Sequence, residues 1–250
     1  MLTVSGLVAS ERDYGEQDRF ISIITAEHGI IDLLVKGAKK ITGRNNSSTG
    51  LFSYSKFCIR ERNGRRYLDS SEPIYVFYGL RLDLKKLALA CYIAEAATYS
   101  LTIDNKNGGE IMKLILNSLY LLESDKRTPE FIKSAFEFRF AVELGFLPAL
   151  IGCNECYIHN APEMYFLADQ GILLCEEHFQ LQPQKPGVRL TSGVLHAVRH
   201  ICLLPVNKIF SFKISESSQK ILSVISQKYL LFHLAPPHIF KTLSYYHEVN

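Results

Sequence analysis

The sequence predicts an α+β protein of more than one domain, with strands first, helices after, and a small cysteine-bearing module set among the helices. Three observations carry this. Short β-branched and aromatic segments bounded by turn residues fill the first 78 positions. From Gly79 onward apolar residues recur at three- and four-residue spacing, and two close cysteine-containing pairs interrupt that helical part.

The strand segments are Thr3 to Ser10, Arg19 to Thr25, Ile30 to Lys36, Ser53 to Arg62 and Arg65 to Asp69. His28-Gly29 is a turn between two of them. Asn63-Gly64 joins the last two as a type I′ hairpin, a turn whose central residues both need positive φ. Five strands with a Gly/Ser/Asn-rich loop from Thr42 to Gly50 suit a small closed barrel of the oligonucleotide-binding (OB-fold) kind, assigned to residues 1–78.

Helical spacing then covers Leu80 to Leu101, Glu110 to Glu123 and Pro129 to Leu144. The third is the best punctuated: Thr128 caps it, Pro129 suits its first turn, and Gly145 stops it. Ser192 to Leu203 and Glu216 to Leu234 follow an irregular insert, so residues 79–250 form a helical domain with the module at 151–180.

At 250 residues the chain is long enough to bury a real core, and no apolar run approaches the roughly 20 residues a membrane helix needs. Met1 to Ser10 lacks the pattern of a secretory signal, so a reducing compartment is expected. In such a compartment six cysteines serve as metal ligands or free thiols.

Spacing separates those cases. Cys153, Cys156, Cys175 and His178 read C-x2-C-x18-C-x2-H, two chelating knuckles that suit one structural Zn²⁺. Gly152 and Gly171 precede the knuckles and permit tight backbone. His159 competes with His178 for the fourth position; His178 is favoured because it completes the second pair. Cys58, Cys91 and Cys202 have no partner at ligand spacing and read as buried or half-buried thiols.

Enzyme signatures are missing. Gly37 to Arg44 has five residues between its glycines and lacks the Lys-Ser/Thr of a phosphate loop, and no H-E-x-x-H occurs. Glu11, Asp13, Glu16 and Asp18 alternate with Arg12 and Arg19 and read as a solvated loop. A closed four-ligand site leaves no coordination position for water, so no catalytic residue is assigned.

Charge is the feature that points to a partner. Between residues 33 and 66 stand Lys36, Lys39, Lys40, Arg44, Lys56, Arg60, Arg62, Arg65 and Arg66 against Glu61 alone, a segment of +8 in a chain of +3. Tyr54, Phe57 and Tyr67 lie among them as candidate stacking surfaces. A cationic groove with aromatic platforms binds nucleic acid through backbone charge and base stacking.

The chain resembles the RecO family of bacterial DNA repair and recombination mediators. The resemblance rests on Glu11-Arg12-Asp13-Tyr14-Gly15-Glu16-Gln17-Asp18-Arg19, Thr25-Ala26-Glu27-His28-Gly29, Val35 to Lys40, Glu72-Pro73-Ile74-Tyr75, Arg139 to Pro148, and the Cys/His pairs, in that order. It implies a non-enzymatic protein of the bacterial cytoplasm, associated with the nucleoid. Such a protein binds single- and double-stranded DNA, anneals complementary strands and, with RecR, helps load RecA onto DNA coated by single-stranded DNA-binding protein (SSB). Family members often carry Cys where His178 stands. The competing expectation is a protein-interaction adaptor whose helices, Leu80 to Leu101 and Glu110 to Glu123, receive a partner's tail such as the acidic, apolar C-terminus of SSB, with DNA binding secondary.

Overall fold

A computed structural model describes residues 1–39, 46–101, 107–182, 184–234 and 239–249. Two compact units emerge, Met1–Ser124 with Phe240–Asn250, and Asp125–Ile239. Lys40 and Arg44, two of the basic candidates, lie outside the described residues.

The first unit is built on a closed barrel of β1 (Leu2–Tyr14), β2 (Asp18–Thr25), β3 (Gly29–Val35), β4 (Ser53–Arg62) and β5 (Arg65–Val76), in the order β1-β2-β3-β5-β4. The five-stranded barrel expected from the sequence is therefore present. Alternation decides what goes inside: Val4, Val8, Ile21, Ile23, Ile31, Leu33, Val35, Phe57 and Ile59 form the core. Asn63 at φ 51° and Gly64 at φ 69° make the β4–β5 turn left-handed at both central positions.

Two strands outrun their sequence signal. The acidic stretch read as a loop is instead the far end of the β1–β2 ribbon, where Arg19 bonds Glu11 at 2.8 Å and Asp13 at 3.4 Å. β5 continues to Val76 through Ser70-Ser71-Glu72-Pro73, polar residues with no apolar alternation to announce them. Pro73 sits where the register shifts opposite Ser55, which spares it a ladder bond it cannot donate.

A short helix, α1 (Asn46–Thr49), packs on β4 and β5. Beyond a 3₁₀ turn (Tyr78–Leu82), α2 (Leu84–Ser100) and α3 (Gly108–Glu123) belong to the same compact unit, with α8 (Lys241–Glu248) returning to pack on α2. The Glu123 carboxylate, at the end of α3, accepts from Tyr75 Oη and from the Gly79 amide, both at 2.8 Å. At the start of α3, a Cβ on Gly108 would stand 2.0 Å from the Ala26 carbonyl oxygen, so this close approach admits only glycine. The change from strand to helix near residue 78 thus marks the end of the barrel, while compactness carries the first unit on to Ser124.

The second unit joins α4 (Pro129–Glu143), α6 (Ser192–Leu203) and α7 (Glu216–Leu234) to a four-stranded sheet. That sheet, β6 (Ala149–Cys153), β7 (Met164–Leu167), β8 (Ile172–Cys175) and β9 (Gly187–Leu190) in the order β6-β8-β7-β9, occupies the insert expected to be irregular. Its strands are only four or five residues long, too short for periodicity to show. One small helix, α5 (Glu176–Gln180), follows β8.

Caps fall where the residues asked for them. Thr128 Oγ1 accepts from the Phe131 amide, and beyond Glu143 the paired bonds Gly145 N to Val142 O and Phe146 N to Ala141 O close the helix around Gly145 at φ 100°. Between α4 and α7 lies a fully buried ion pair, Lys133 to Glu137 at 2.8 Å. Gln227 Oε1 accepts from Lys133 at 2.9 Å, and Ser226 donates to Glu137 at 2.7 Å. Arg139 bonds the carbonyls at the end of α6, those of Ile201, Cys202 and Leu204, while pairing with Glu143.

Candidate nucleic-acid face and metal centre

Register decides which cations share a surface. On β4 the buried residues are Ser53, Ser55, Phe57 and Ile59, so Lys56, Arg60 and Arg62 point outward. Across the hairpin Arg62 stands opposite Arg65 and Arg60 opposite Tyr67, which places these four on one face. Lys36, just past β3, brings its ammonium to 5.5 Å from the centre of the Tyr67 ring. The described candidates Lys36, Lys56, Arg60, Arg62 and Arg65 thus stand outward on neighbouring strands.

Two cations depart from that group. Arg66 pairs in register with Glu61 on the opposite face of the hairpin and reaches its carboxylate at 3.9 Å. Lys39 is bound to Asp13 at 2.9 Å and to the Gly15 carbonyl at 3.3 Å, which moves it to the β1–β2 end. The Lys39 ammonium, with Arg19, also holds the Asp13 carboxyl below the usual range. Arg60 is partly offset by Asp69 at 2.8 Å.

The aromatic candidates sort by the same alternation. Phe57 is fully buried in the barrel core and offers no platform, whereas Tyr54 and Tyr67 are half-buried. The platform that sequence reading missed is Tyr14 with Phe20, edge to face at 4.9 Å, with the Arg12 guanidinium 5.6 Å above the Phe20 ring. These rings line an open hollow of about 540 Å³ on the outer side of β2 and β3, with Arg65 and Arg66 of the hairpin on its wall. Asp32 and Glu61 also line it, so its charge is mixed. The signal was present, since Phe20 alternates with buried Ile21, but the reading took Glu11 to Asp18 as a loop.

The four metal candidates converge. Their ligand atoms all lie within 4.8 Å of one another. Cys156 Sγ is 3.8 Å from Cys175 Sγ, and His178 Nδ1 is 3.8 Å from Cys153 Sγ and 3.1 Å from Cys175 Sγ. Thiolates about 2.3 Å from a tetrahedral Zn²⁺ stand about 3.8 Å apart, with an imidazole nitrogen about 3.5 Å from each sulfur. The donor set is one that could hold a metal ion, and its spacing fits zinc.

Local backbone makes the first knuckle. Cys153 N donates to Ile158 O at 2.9 Å, Tyr157 N to Cys153 O at 2.8 Å, and Tyr157 turns left-handed at φ 62°. A Cβ on Gly152 would meet the Tyr157 and Ile158 carbonyl oxygens at 2.8 and 2.7 Å, and Gly171 has φ 65°. Burial pushes the Cys153 thiol up, but amides of Cys156, Cys175 and Glu155 outweigh it and bring the group down to about 7. Burial raises the Cys175 thiol, and the neighbouring sulfurs add to that rise.

His159 is elsewhere. Its Nδ1 bonds the Ile151 carbonyl and so carries the hydrogen, while Nε2 faces Arg199 Nη1 at 3.4 Å. Both nitrogens are occupied, and neither is left to coordinate. Cys58 and Cys91 are half-buried and Cys202 is buried, all three free, as their apolar neighbours suggested.

Comparison with known proteins follows the same division. The family model described as Recombination protein O N terminal matches residues 1–77, and Recombination protein O C terminal matches 81–239. The chain belongs to the RecO family. It is similar to the DNA repair protein RecO of Acetivibrio thermocellus, 30% identical over 229 residues that cover 92% of this chain and 90% of that one. RecO of Alkaliphilus metalliredigens is 24% identical across 94% of each chain, and RecO of Bacillus subtilis 29% identical across 76% of this chain and 73% of that one. Among the described residues no helix is long and apolar enough to cross a membrane.

Proposed function

We propose that this RecO-family protein is a non-catalytic mediator of DNA repair and recombination. It binds single- and double-stranded DNA on the barrel, anneals complementary strands and, with RecR, helps load RecA onto SSB-coated DNA in the bacterial cytoplasm, at the nucleoid. The observation that carries the reading is the outward group of cations on β4 and β5 beside the Tyr14–Phe20 hollow. Backbone phosphates are drawn to Lys36, Lys56, Arg60, Arg62 and Arg65, and bases stack over the β2–β3 surface, the side an OB-fold barrel offers to oligonucleotides. Annealing then needs no bond chemistry, because screened backbones with accessible bases pair faster. The functional division is taken at residue 78, barrel against helical domain 79–250.

Cys153, Cys156, Cys175 and His178 would hold one Zn²⁺, which supplies structure to the module between residues 151 and 180 and leaves no open position for water. With five or six phosphates neutralised, log affinity for single strands falls against log salt with a slope of about −4. Reversing Arg60, Arg62, Arg65 and Arg66 to Glu abolishes binding in a salt-titrated anisotropy assay. Unchanged affinity in that variant overturns the reading.

A specific observation favours a second role in partner recognition. A groove of about 980 Å³ in the second unit has Phe131, Phe212, Ile214 and Val224 for its apolar lining, with Lys126, Arg127, Lys213 and Lys220 around it alongside the acidic Asp125, Glu130 and Glu216, so that cations are in slight excess. That chemistry suits an acidic, apolar tail such as the C-terminus of SSB. It lies between α4 and α7, not between the two helices first expected to form such a groove. Retained tail binding in the charge-reversed barrel variant separates the two roles.

A further inference from the structure

Sequence reading gives Arg199 no role, yet every donor direction of its guanidinium is used, and its partners lie on strand β6 and on the loop that follows it. Nε donates to Leu150 O at 2.8 Å, and Nη2 to Ile151 O at 3.0 Å and His159 O at 2.9 Å. Nη1 donates to Asn160 Oδ1 at 3.0 Å and faces His159 Nε2 at 3.4 Å. Those residues bracket Cys153 and Cys156 on both sides. His159 closes the loop a second time, since its Nδ1–H donates to the same Ile151 carbonyl that accepts from Arg199. Arg199 itself is fixed in mid-α6 between Val198 and Ile201, both fully buried.

Apart from the backbone bonds of the knuckle itself and one from the Asn154 amide to Leu173, the loop is held by little burial. Ile151 and Tyr157 are each 82% exposed, and residues 154 to 160 contribute no fully buried side chain. Ordering this exposed segment costs conformational entropy that the metal alone would otherwise have to offset. A planar guanidinium bonded to three carbonyls and a side-chain amide removes much of that freedom in advance, because its fork is rigid where a lysine ammonium is a single point.

We infer that Arg199 is a positioning residue for the metal centre: it holds the first cysteine knuckle in its chelating form and ties that knuckle to α6. The inference rests on the reading that the Cys/His cluster binds zinc. It deepens that reading by naming what prepares the site. Outer partners that orient ligands are typically worth roughly 10- to 100-fold in metal affinity.

The test uses the full chain. Zinc affinity is measured by competition with a colorimetric chelator for wild type, Arg199→Ala and Arg199→Lys, with single-strand binding and far-UV circular dichroism as controls for folding. Arg199→Ala is expected to weaken zinc by roughly 10- to 100-fold while the cobalt-substituted protein keeps a tetrahedral thiolate spectrum, because the ligands are intact. Arg199→Lys falls between, since one ammonium cannot span three carbonyls. If the Ala variant fails to fold, the Lys variant decides. Wild type that takes up zinc, with variants binding it as tightly, overturns the role of Arg199 alone. A wild-type chain that takes up no zinc overturns the metal reading and this inference together.

Discussion

The barrel and the cysteine-bearing sheet are both small β-structures with a buried apolar face, but they differ at the end that carries the cysteines. Nine buried apolar side chains from four of its strands fill the barrel, and its cations are displayed outside. In the second sheet the knuckle end is exposed from residue 154 to 160, and there Cys153, Cys156, Cys175 and His178 cluster while the Arg199 guanidinium bonds the Ile151 carbonyl. The barrel rests on hydrophobic burial throughout, whereas the second sheet combines a buried face, with Phe166, Leu167, Leu173 and Leu174 fully inside, with a knuckle end held by directional bonds. They should therefore fail under different conditions.

The largest expected effect breaks that comparison outright. Cys175→Ser, or exhaustive chelation, should abolish stoichiometric zinc binding and deprotect amides from 151 to 180 in hydrogen exchange while β1 to β5 stay protected. Equal loss of protection in the barrel would show that the two do not order independently. Conversely, Phe57→Ala should cost about 3–5 kcal/mol in the barrel and leave metal content unchanged, as read by denaturant unfolding with metal analysis.

Within the second unit the buried Lys133–Glu137 pair sharpens the contrast between burial and bonding. Lys133→Met strands the Glu137 carboxylate and should destabilise by about 3–5 kcal/mol, whereas Lys133→Met with Glu137→Leu should recover most of that loss. A double variant as unstable as the single one would mean that the pair supplies net stabilisation beyond satisfying itself.

The smallest effect is a pH dependence. Burial holds His233 below its usual value of 6.5, and its ring is stacked on Phe146 and meets Tyr229 edge to face. The unfolded chain then binds the proton more readily than the folded one, so stability falls as pH drops below about 6.5. His233→Phe should flatten that slope in unfolding curves between pH 7.5 and 5.5, whereas an unchanged slope would assign the dependence to other groups.

Much of the candidate site could be read from the chain because its signals are short-range. The Asn63-Gly64 turn, the C-x2-C and C-x2-H pairs and the Thr128-Pro129 start each depend on neighbours within four residues, and each appears as expected. That Phe57 is core and that Arg66 faces away from Arg62 could not be read from the chain for a different reason: alternation tells that two residues lie on opposite faces but not which face is the core. The strands of the insert were too short for periodicity to show, and the far half of β5 carried too few apolar residues to declare itself.

The sequence by itself therefore determined the order of the five barrel strands and the five longer helices, the hairpin that carries the arginines, and the identity of the four clustered donors, since propensity and chelate spacing act along the chain. Only the tertiary structure decided that Lys36 meets Tyr67, that Tyr14 and Phe20 form the platform, that His159 is taken up by Ile151 and Arg199, and that Lys133 needs Glu137. Those pairings join residues brought together by barrel closure, strand register and helix packing, and such contacts are fixed by the burial of the whole unit.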